Sequence, residues 1–264
     1  MKKEVKLVKK LNGLLKQLNQ REYLHHFGPK KYKFVSHAVA LLLKEALKCS
    51  FRRISRLLHQ LDVITPTYSA LCKSRKRIPI QLWNSLLKAT AGMKHDVVAV
   101  DSTGFSNSNP SHHYIKRINR RDPIKSYTKL SALFDLIRKK FTALRVRIKP
   151  RHDMKDVKYL LRQSSPKKKL IGDSAYDAES LHEYCYWKNI KAIIKPRVNS
   201  KKGWARKKHM KFYSEEEYHQ RSLIESGFAS LKRKYGGYVL AKKSRSIKAE
   251  IYCKAISHNL RLYN

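Results

Sequence analysis

The sequence predicts an α/β fold in which helices flank a mixed β-sheet and a helical region comes first. Helical patterns with apolar faces occupy the region before residue 92. Beyond it, short apolar runs of the kind that form buried strands begin with "VVAVD" at 97–101. Strand and helix patterns then alternate, which is the order that places helices against a sheet. We therefore expect a helical domain at 1–92 and an α/β domain at 93–264.

The first domain opens with two predicted helices. In residues 4–26, apolar side chains recur at three- and four-residue spacing with lysines on the other sides, which indicates a basic amphipathic helix formed around Val8, Leu11, Leu15 and Leu18. Residues 34–49 carry a strongly apolar face and predict a second helix. Both helices are expected to contribute packing surface.

A helix-turn-helix pattern follows. Ser50 is placed to cap a helix that runs to Leu61, and Thr65 followed by Pro66 is a favourable start for the next helix. Residues 66–77 would then be the recognition helix. The alternative is a basic helical pair that reads no bases.

The α/β domain is predicted from nine segments. They are a strand at 97–101, a hairpin of 126–136 and 141–149, a helix at 153–163, a strand at 168–173, a helix at 177–189, a strand at 191–196, a basic loop or small insertion at 197–213 and a last long helix at 215–234.

The charge of the chain points to a polyanionic partner. Its 264 residues include 60 Lys and Arg against 19 Asp and Glu, which gives a formal charge of +41. Such a field binds nucleic acid in a salt-sensitive manner, and Lys73, Arg75 and Arg77 on the recognition helix are the expected DNA contacts. A ribosome-bound protein or one on anionic lipid are the alternatives. No apolar run is long enough to span a membrane.

The segment "YHQRSLIESGFASLK" at 218–232 combines charge with an apolar face. On a helix, Tyr218, Arg221 and Lys232 all fall within about 40° of Glu225. A neighbouring stripe of apolar residues, Ile224, Phe228 and Leu231, would hold the helix against a core. The helix is therefore expected to present a carboxylate framed by cations.

Two aspartates are expected near that carboxylate. Asp101 and Asp173 each end a predicted apolar strand, and if the strands are neighbours both side chains emerge at one sheet edge. Adjacent carboxylates repel unless a cation lies between them. With Glu225 they supply oxygen ligands suited to Mg²⁺ or Mn²⁺. Two such ions about 3.5–4 Å apart can promote phosphodiester displacement.

These residues resemble the signature of a known enzyme family. Tyr218, Arg221, Glu225 and Lys232 have the Y-x2-R-x3-E-x6-K spacing of prokaryotic insertion-sequence transposases with a DDE triad. "DST" at 101–103 and "GDSAYD" at 172–177 are similar to the blocks around the first two acids of that family. The resemblance covers residues 95–260, and residues 1–90 match only loosely.

The resemblance implies a ribonuclease H-like core and a metal-dependent cut-and-join reaction. Asp101, Asp173 and Glu225 would be the catalytic metal ligands for two Mg²⁺ or Mn²⁺ ions. Water would cut at the element's end, and the freed 3′ hydroxyl would attack target DNA. Arg221 and Lys232 would hold the phosphate backbone.

Two aromatic residues keep alternatives open. Tyr218 would contact the DNA end or merely cover the helix edge. Trp204 in the insertion would receive a flipped base, as in some relatives, or anchor the loop by packing.

Three functions remain compatible with these residues: a transposase, a DNA-binding repressor derived from one, and a metal-dependent nuclease on the same core. The transposase is favoured because all three acids are present. We expect DNA with terminal inverted repeats and target DNA as partners, no membrane, and a homodimer that brings two ends together. The expected location is the prokaryotic cytoplasm, with association to the nucleoid when bound.

Overall fold

A computed structural model describes residues 3–24, 30–92, 94–107, 117, 127–198 and 202–261 of the chain. The chain forms two compact units. The first contains residues 1–90, 234–236 and 241–264, and the second contains 91–233 and 237–240. No helix in the described ranges is long and apolar enough to cross a membrane.

The first unit is helical. Its helices within the described residues are α1 (Lys3–Gln17), α2 (Phe34–Ala46), α3 (Phe51–Gln60), α4 (Tyr68–Arg77), α5 (Ile80–Ala91) and α11 (Ser244–Asn259). Of the predicted apolar stripe of α1, Leu11 and Leu15 are buried, whereas Val8 and Leu18 are only partly buried; Leu7, which was not predicted, is buried with them. This helix ends at Gln17, earlier than predicted, and residues 25 and 26 of the predicted range lie outside the described residues.

The helix-turn-helix segment forms the two predicted helices. The Ser50 hydroxyl accepts a hydrogen bond from the Arg53 amide and caps α3, as predicted. The cap of α4 is Thr67 rather than Thr65, because Pro66 precedes the cap and the Thr67 hydroxyl faces the Ala70 amide. Buried Ile54, Leu58 and Leu71 hold α3 and α4 together.

The C-terminal helix α11 was not predicted from the sequence. Nearly every side chain along it is buried, so it lacks the one-sided apolar pattern by which surface helices are recognised. It belongs to the helical unit, where the Ser257 hydroxyl donates to the Leu42 carbonyl at 3.3 Å and the Asn259 amide donates to Thr90 Oγ1 at 3.2 Å.

A buried ionic cluster lies on α11. Glu250 is 1% exposed and contacts Lys254 at 3.9 Å and Arg75 of α4 at 3.7 Å. Its carboxylate also accepts the Ala241 amide at 3.0 Å, and Lys254 donates to the Gly236 carbonyl at 3.1 Å. Buried charges are tolerated when they are paired and hydrogen-bonded, so this cluster fixes the register of α11.

The second unit contains a five-stranded mixed sheet. Its strands are β1 (Val97–Ser106), β2 (Tyr127–Asp135), β3 (Lys140–Arg147), β4 (Lys169–Gly172) and β5 (Lys191–Ile194). The strand order is β3-β2-β1-β4-β5. Strand β2 is antiparallel to both of its neighbours, β1 and β3, whereas β4 is parallel to β1 and β5 is parallel to β4. This is the ribonuclease H-like arrangement, and it confirms the predicted mixed sheet flanked by helices and preceded by a helical region.

The helices of the second unit are α6 (Met154–Gln163), α7 (Glu179–Trp187), α8 (Trp204–Met210), α9 (Glu215–His219) and α10 (Ser222–Tyr235) within the described residues. Helix α10 packs closely on the sheet: Phe228 stacks on Phe141 with ring centroids 5.7 Å apart. At Gly227 an added Cβ would lie 2.8 Å from the Phe134 ring, so only glycine permits this approach.

Two further predicted boundaries were wrong. Strand β1 continues to Ser106, since its antiparallel pairing with β2 outlasts its parallel pairing with β4, and Asp101 therefore lies within the strand. The helix predicted at 215–234 is broken at residues 220 and 221 into α9 and α10. The segment 197–213, predicted as a basic loop or a small insertion, contains α8; its residues 199–201 lie outside the described residues.

Glu250→Gln tests the buried cluster. Removing the carboxylate charge leaves Lys254 buried and poorly compensated, so we expect a loss of about 3 kcal/mol or more of unfolding free energy, measured by urea denaturation. The matched control is Glu22→Gln, which removes the same charge from an exposed pair with Lys33 and should leave the midpoint nearly unchanged. Equal effects of the two variants would contradict the structural role of the cluster.

Candidate active site

Strand pairing places the first two predicted acids side by side. Strands β1 and β4 pair in parallel up to Val100 and Gly172, so Asp101 and Asp173 are the next residue on each strand path. The Ser102 amide donates to Asp101 Oδ1 at 2.7 Å. Asp173 caps the 3-10 turn Ser174–Tyr176, accepting the Ala175 amide at 3.0 Å. Both carboxylates are thus oriented by backbone amides at one edge of the sheet.

Helix α10 brings the third acid to the same edge. Ile224 and Leu231 are fully buried and hold the helix, while Glu225 is about half exposed. Arg221, in the break before α10, donates to Glu225 Oε1 at 2.5 Å and to Asp101 Oδ2 at 3.3 Å. The guanidinium therefore links the strand acid to the helix acid.

The site has the electrostatics of a cation site. Burial raises the pKa of Asp101 to about 6, and the negative charges of Asp173 and Glu225 add to the shift, while the Ser102 amide and Arg221 oppose it. Three carboxylates thus repel one another around a partly desolvated group, and Arg221 is the cation bonded to two of them.

The donor set fits a hard divalent cation. Three carboxylates supply the oxygen ligands that Mg²⁺ and Mn²⁺ prefer. In the described part of the chain, no three His, Cys, Asp or Glu side chains are grouped closely enough to hold a metal ion. Since Arg221 bonds both Asp101 and Glu225, its side chain must move for these two carboxylates to share an ion.

The remaining signature residues lie along the same helices but not on one stripe. The break at residues 220 and 221 places Tyr218 on α9, where Lys195 and Arg221 lie 5.8 and 5.9 Å from its ring centroid. Lys232 is two turns beyond Glu225 on α10, with its ammonium 5.7 Å from the Phe105 ring centroid. Burial lowers the pKa of Lys232.

A polar network around Asp177, four residues after Asp173, was not predicted from the sequence. Asp177 is 3% exposed and accepts hydrogen bonds from His182 Nε2 at 3.0 Å, from the Arg197 amide at 2.7 Å and from the Arg206 guanidinium. His182 Nδ1 in turn contacts His209 Nδ1 at 3.1 Å. The signal that could have found it is the second acid in "GDSAYD".

Trp204 begins α8 and belongs to an aromatic cluster. Its ring packs edge-on against Tyr186 and Trp187, with centroids 5.0 and 6.2 Å away, and Lys208 lies over Trp204 and Tyr186. Trp204 is 45% exposed and Trp187 75% exposed. The residue therefore packs against its neighbours and also keeps a face in solvent.

The predicted DNA contacts on α4 differ in their surroundings. Lys73 and Arg77 are exposed. Arg75 is mostly buried, stacks on Phe51 with 4.8 Å to the ring centroid, and pairs with Glu250. The Arg75 guanidinium is therefore engaged inside the helical unit, which leaves Lys73 and Arg77 as the exposed cations among the three.

Comparison with known proteins identifies one family. The model described as "Transposase DDE domain" matches residues 92–260. No curated protein matches the sequence.

Solved structures with a related arrangement include the "Mos1 transposase paired-end complex with left transposon end", at 13% identity over 78% of this chain and 80% of that chain, with a TM-score of 0.27. The "Crystal structure of a pre-cleavage Mos1 transpososome" has 13% identity over 90% and 79%, with a TM-score of 0.28.

The histidine pair predicts a pH-dependent stability. Burial, and then the neighbouring His182, lower the pKa of His209 to about 4 from 6.5, with Glu179 opposing the shift. As pH falls, the unfolded chain takes up this proton first, so stability is fully present above pH 6.5 and declines towards pH 4. We expect a loss of about 2 kcal/mol between pH 7 and pH 5 in urea unfolding, by linkage.

The pH dependence of stability in the variant His209→Gln is compared with that of the wild-type protein. Glutamine does not titrate in this range, so the variant should lose about 2 kcal/mol less than the wild-type protein over the same pH interval, whatever its stability at pH 7. Asp177, Glu179, His182 and Arg206 surround the pair and are unchanged in the variant. An identical pH dependence in both proteins would contradict the buried neutral pair.

Proposed function

Because the chain belongs to the family defined by the transposase DDE domain, we propose that it cuts DNA at the ends of an insertion sequence and joins those ends to target DNA. The observation that carries the proposal is the register of β1 and β4, which brings Asp101 and Asp173 together at the edge where Glu225 arrives. Acids grouped in this way, in a chain of charge +41, suit chemistry on a polyanionic backbone.

Asp101, Asp173 and Glu225 would hold Mg²⁺ or Mn²⁺, two ions in the expected arrangement. When bound, such ions supply Lewis-acid activation of the attacking oxygen and charge stabilisation of the leaving oxygen. The Ser102 and Ala175 amides orient the two aspartates, so the acids are positioned before any ligand binds. Glu225 is more exposed and completes the set from the helix.

The reaction consists of two displacements at phosphorus. In the first, water attacks the phosphodiester at the element's end, one P–O bond breaks as another forms, and a 3′ hydroxyl is released. In the second, that hydroxyl attacks a phosphodiester of target DNA and displaces its 3′ oxygen. Arg221 and Lys232 would hold phosphates on either side of Glu225, and Tyr218 would contact the DNA end.

Arg221 would then have two partners in succession. Without DNA its guanidinium bonds Asp101 and Glu225. A DNA phosphate offers the same bidentate acceptor geometry and would draw the guanidinium away from the acids. DNA binding would thereby free carboxylate oxygens for the cation.

Other surfaces would contribute DNA contacts. Lys73 and Arg77 present exposed cations on α4, which would serve as the recognition helix. Trp204 keeps an exposed face beside Lys208, and a cation next to an aromatic ring suits an unstacked base. We further propose a homodimer that holds two element ends and that acts at the DNA of a prokaryotic cytoplasm.

Glu225→Ala tests the catalytic assignment. Loss of this carboxylate should abolish cleavage and strand transfer on duplexes that carry the element's terminal repeats, in Mg²⁺ or Mn²⁺, while DNA binding stays close to that of the wild-type protein. Gel assays of cleaved and joined products provide the measurement. Glu216→Ala, which removes an exposed glutamate of α9, is the matched control and should remain active.

The products separate the competing functions. Cutting without joining by the wild-type protein would indicate a nuclease, and binding without cutting would indicate a repressor. Strand transfer by Glu225→Ala at the wild-type rate would refute the site assignment.

The double variant Lys73→Ala/Arg77→Ala tests the proposed recognition helix. If both cations contact phosphates, affinity should fall and the slope of log affinity against log salt should become about two units shallower. Fluorescence anisotropy with labelled duplexes over a salt series provides the measurement. Lys9→Ala/Lys16→Ala removes two exposed charges from α1 and is the matched control. Equal slopes for the two double variants would indicate that α4 is not the recognition helix.

A further inference from the structure

We propose that Arg197 and Asp177 are positioning residues that hold the turn carrying Asp173 in the geometry needed for cation binding. The inference rests on the proposed function, because it assigns a role to residues behind the candidate active site. Neither residue belongs to the signature of acids and cations described above.

The contacts of Arg197 are directed at the backbone that follows Asp173. Its Nε donates to the Ser174 carbonyl at 2.7 Å and its Nη2 donates to the Ala175 carbonyl at 2.9 Å. A guanidinium can span two successive carbonyls because its donors form a rigid planar fork. The turn is therefore held at two adjacent peptide groups.

This turn determines the direction of the Asp173 carboxylate. Asp173 Oδ1 accepts the Ala175 amide, and the Tyr176 amide donates to the Asp173 carbonyl at 3.1 Å. Strand β4 ends at Gly172, so sheet pairing no longer supports the backbone at residues 173–176. The fork of Arg197 supplies support at the point where the strand stops.

Asp177 holds the backbone of Arg197, whose side chain holds the turn. Its Oδ2 accepts the Arg197 amide and the Arg206 guanidinium, and its Oδ1 accepts His182 Nε2. The Arg197 side chain is exposed, but its backbone is therefore tied to a buried carboxylate at the end of the turn. The result is a closed loop of hydrogen bonds from the turn to Arg197, to Asp177, and back to the turn.

Helix α8 anchors this loop. Glu179 accepts the Ala205 and Arg206 amides at 2.8 and 3.2 Å, which caps α8 from a neighbouring helix. Gly203 is the N-cap residue of α8 with φ +115°, and an added Cβ would clash with the Glu179 carboxylate. Only glycine permits this approach, by which Arg206 reaches Asp177.

The exposure of Arg197 argues for a specific role. An exposed arginine in a chain of 60 cations would ordinarily serve the general attraction for a polyanion. Here the guanidinium donors point at carbonyl oxygens of the turn. A positioning role predicts that lysine, which keeps the charge but lacks the fork, does not replace arginine.

The test compares Arg197→Ala and Arg197→Lys with the wild-type protein. Mn²⁺ affinity is measured by calorimetry on the full chain, both alone and bound to duplex DNA, because Arg221 contacts Asp101 and Glu225 when DNA is absent. Amide hydrogen exchange is followed at residues 175–177. Both variants should bind Mn²⁺ about tenfold more weakly, the scale seen when support of a metal ligand is lost, and should exchange these amides faster. Arg162→Ala, which removes an exposed arginine of α6, is the matched control and should match the wild type in both measurements.

The outcomes separate this inference from the proposed function. Wild-type Mn²⁺ affinity and exchange in Arg197→Ala would overturn the positioning role, and so would full recovery of both in Arg197→Lys, which would show that charge alone matters. If the wild-type protein binds no Mn²⁺ either alone or with DNA, the proposed metal site fails, and the exchange rates at residues 175–177 still decide whether Arg197 holds the turn.

Discussion

The parallel pairing of β1 with β4 is the constraint on which the candidate active site depends. It sets Val100 opposite Gly172, so that Asp101 and Asp173 continue side by side from neighbouring strands. Strand β1 then continues along β2, and its last residue, Ser106, also bridges Tyr238, while β4 gives way to a turn. One carboxylate is thereby embedded in a strand and the other stands at the start of a turn. Their repulsion is an electrostatic cost that a bound cation would remove.

Acids outside the candidate active site are paired with cations differently from Asp101 and Glu225. Acids are scarce in the chain, and several buried or partly buried acids have a cation or histidine of their own: Asp135 with His95, Asp153 with Lys129, Asp156 with Arg147 and Asp177 with Arg206. Each of these pairs offsets the desolvation of one carboxylate. Asp101 and Glu225, in contrast, share the single guanidinium of Arg221. The proposed cation would complete the balance of charge at this sheet edge.

The sequence predicted much of the fold because the decisive signals are local. Apolar strand runs, the Ser50 cap and the helix periodicity of the α/β domain all depend on residues near one another in the chain. The wrong predictions occur where residues distant in the chain determine the secondary structure. Ser102–Ser106 extend β1 because β2 pairs with them, and the burial of α11 on many sides removes the periodicity that would reveal it.

The candidate site was predictable to a similar extent. The apolar strand runs ending near Asp101 and Asp173 suggested that the two could be neighbours, and the pairing of β1 with β4 places them side by side. The resemblance to the family added Glu225, and Arg221 contacts both Asp101 and Glu225. The burial of Arg75 depends on Glu250, which is distant in the chain, so it could not be predicted from the sequence around Arg75. The roles of Asp177 and Arg197 likewise depend on α8, within a segment whose basic composition favoured a loop. Tertiary contacts decided each of these cases.

The packing of α11 also determines when the helical unit can complete its fold. Its contacts with α2 and α4 join residues about two hundred positions apart, such as Ser257 with Leu42 and Glu250 with Arg75. Contacts of such long sequence separation form late, since the closure of a long loop costs entropy before the contact stabilises anything. The fold of the first ninety residues is therefore completed by the end of the chain. A helical DNA-binding surface on this unit would reach its final form only after the sheet that carries the acids has been synthesised.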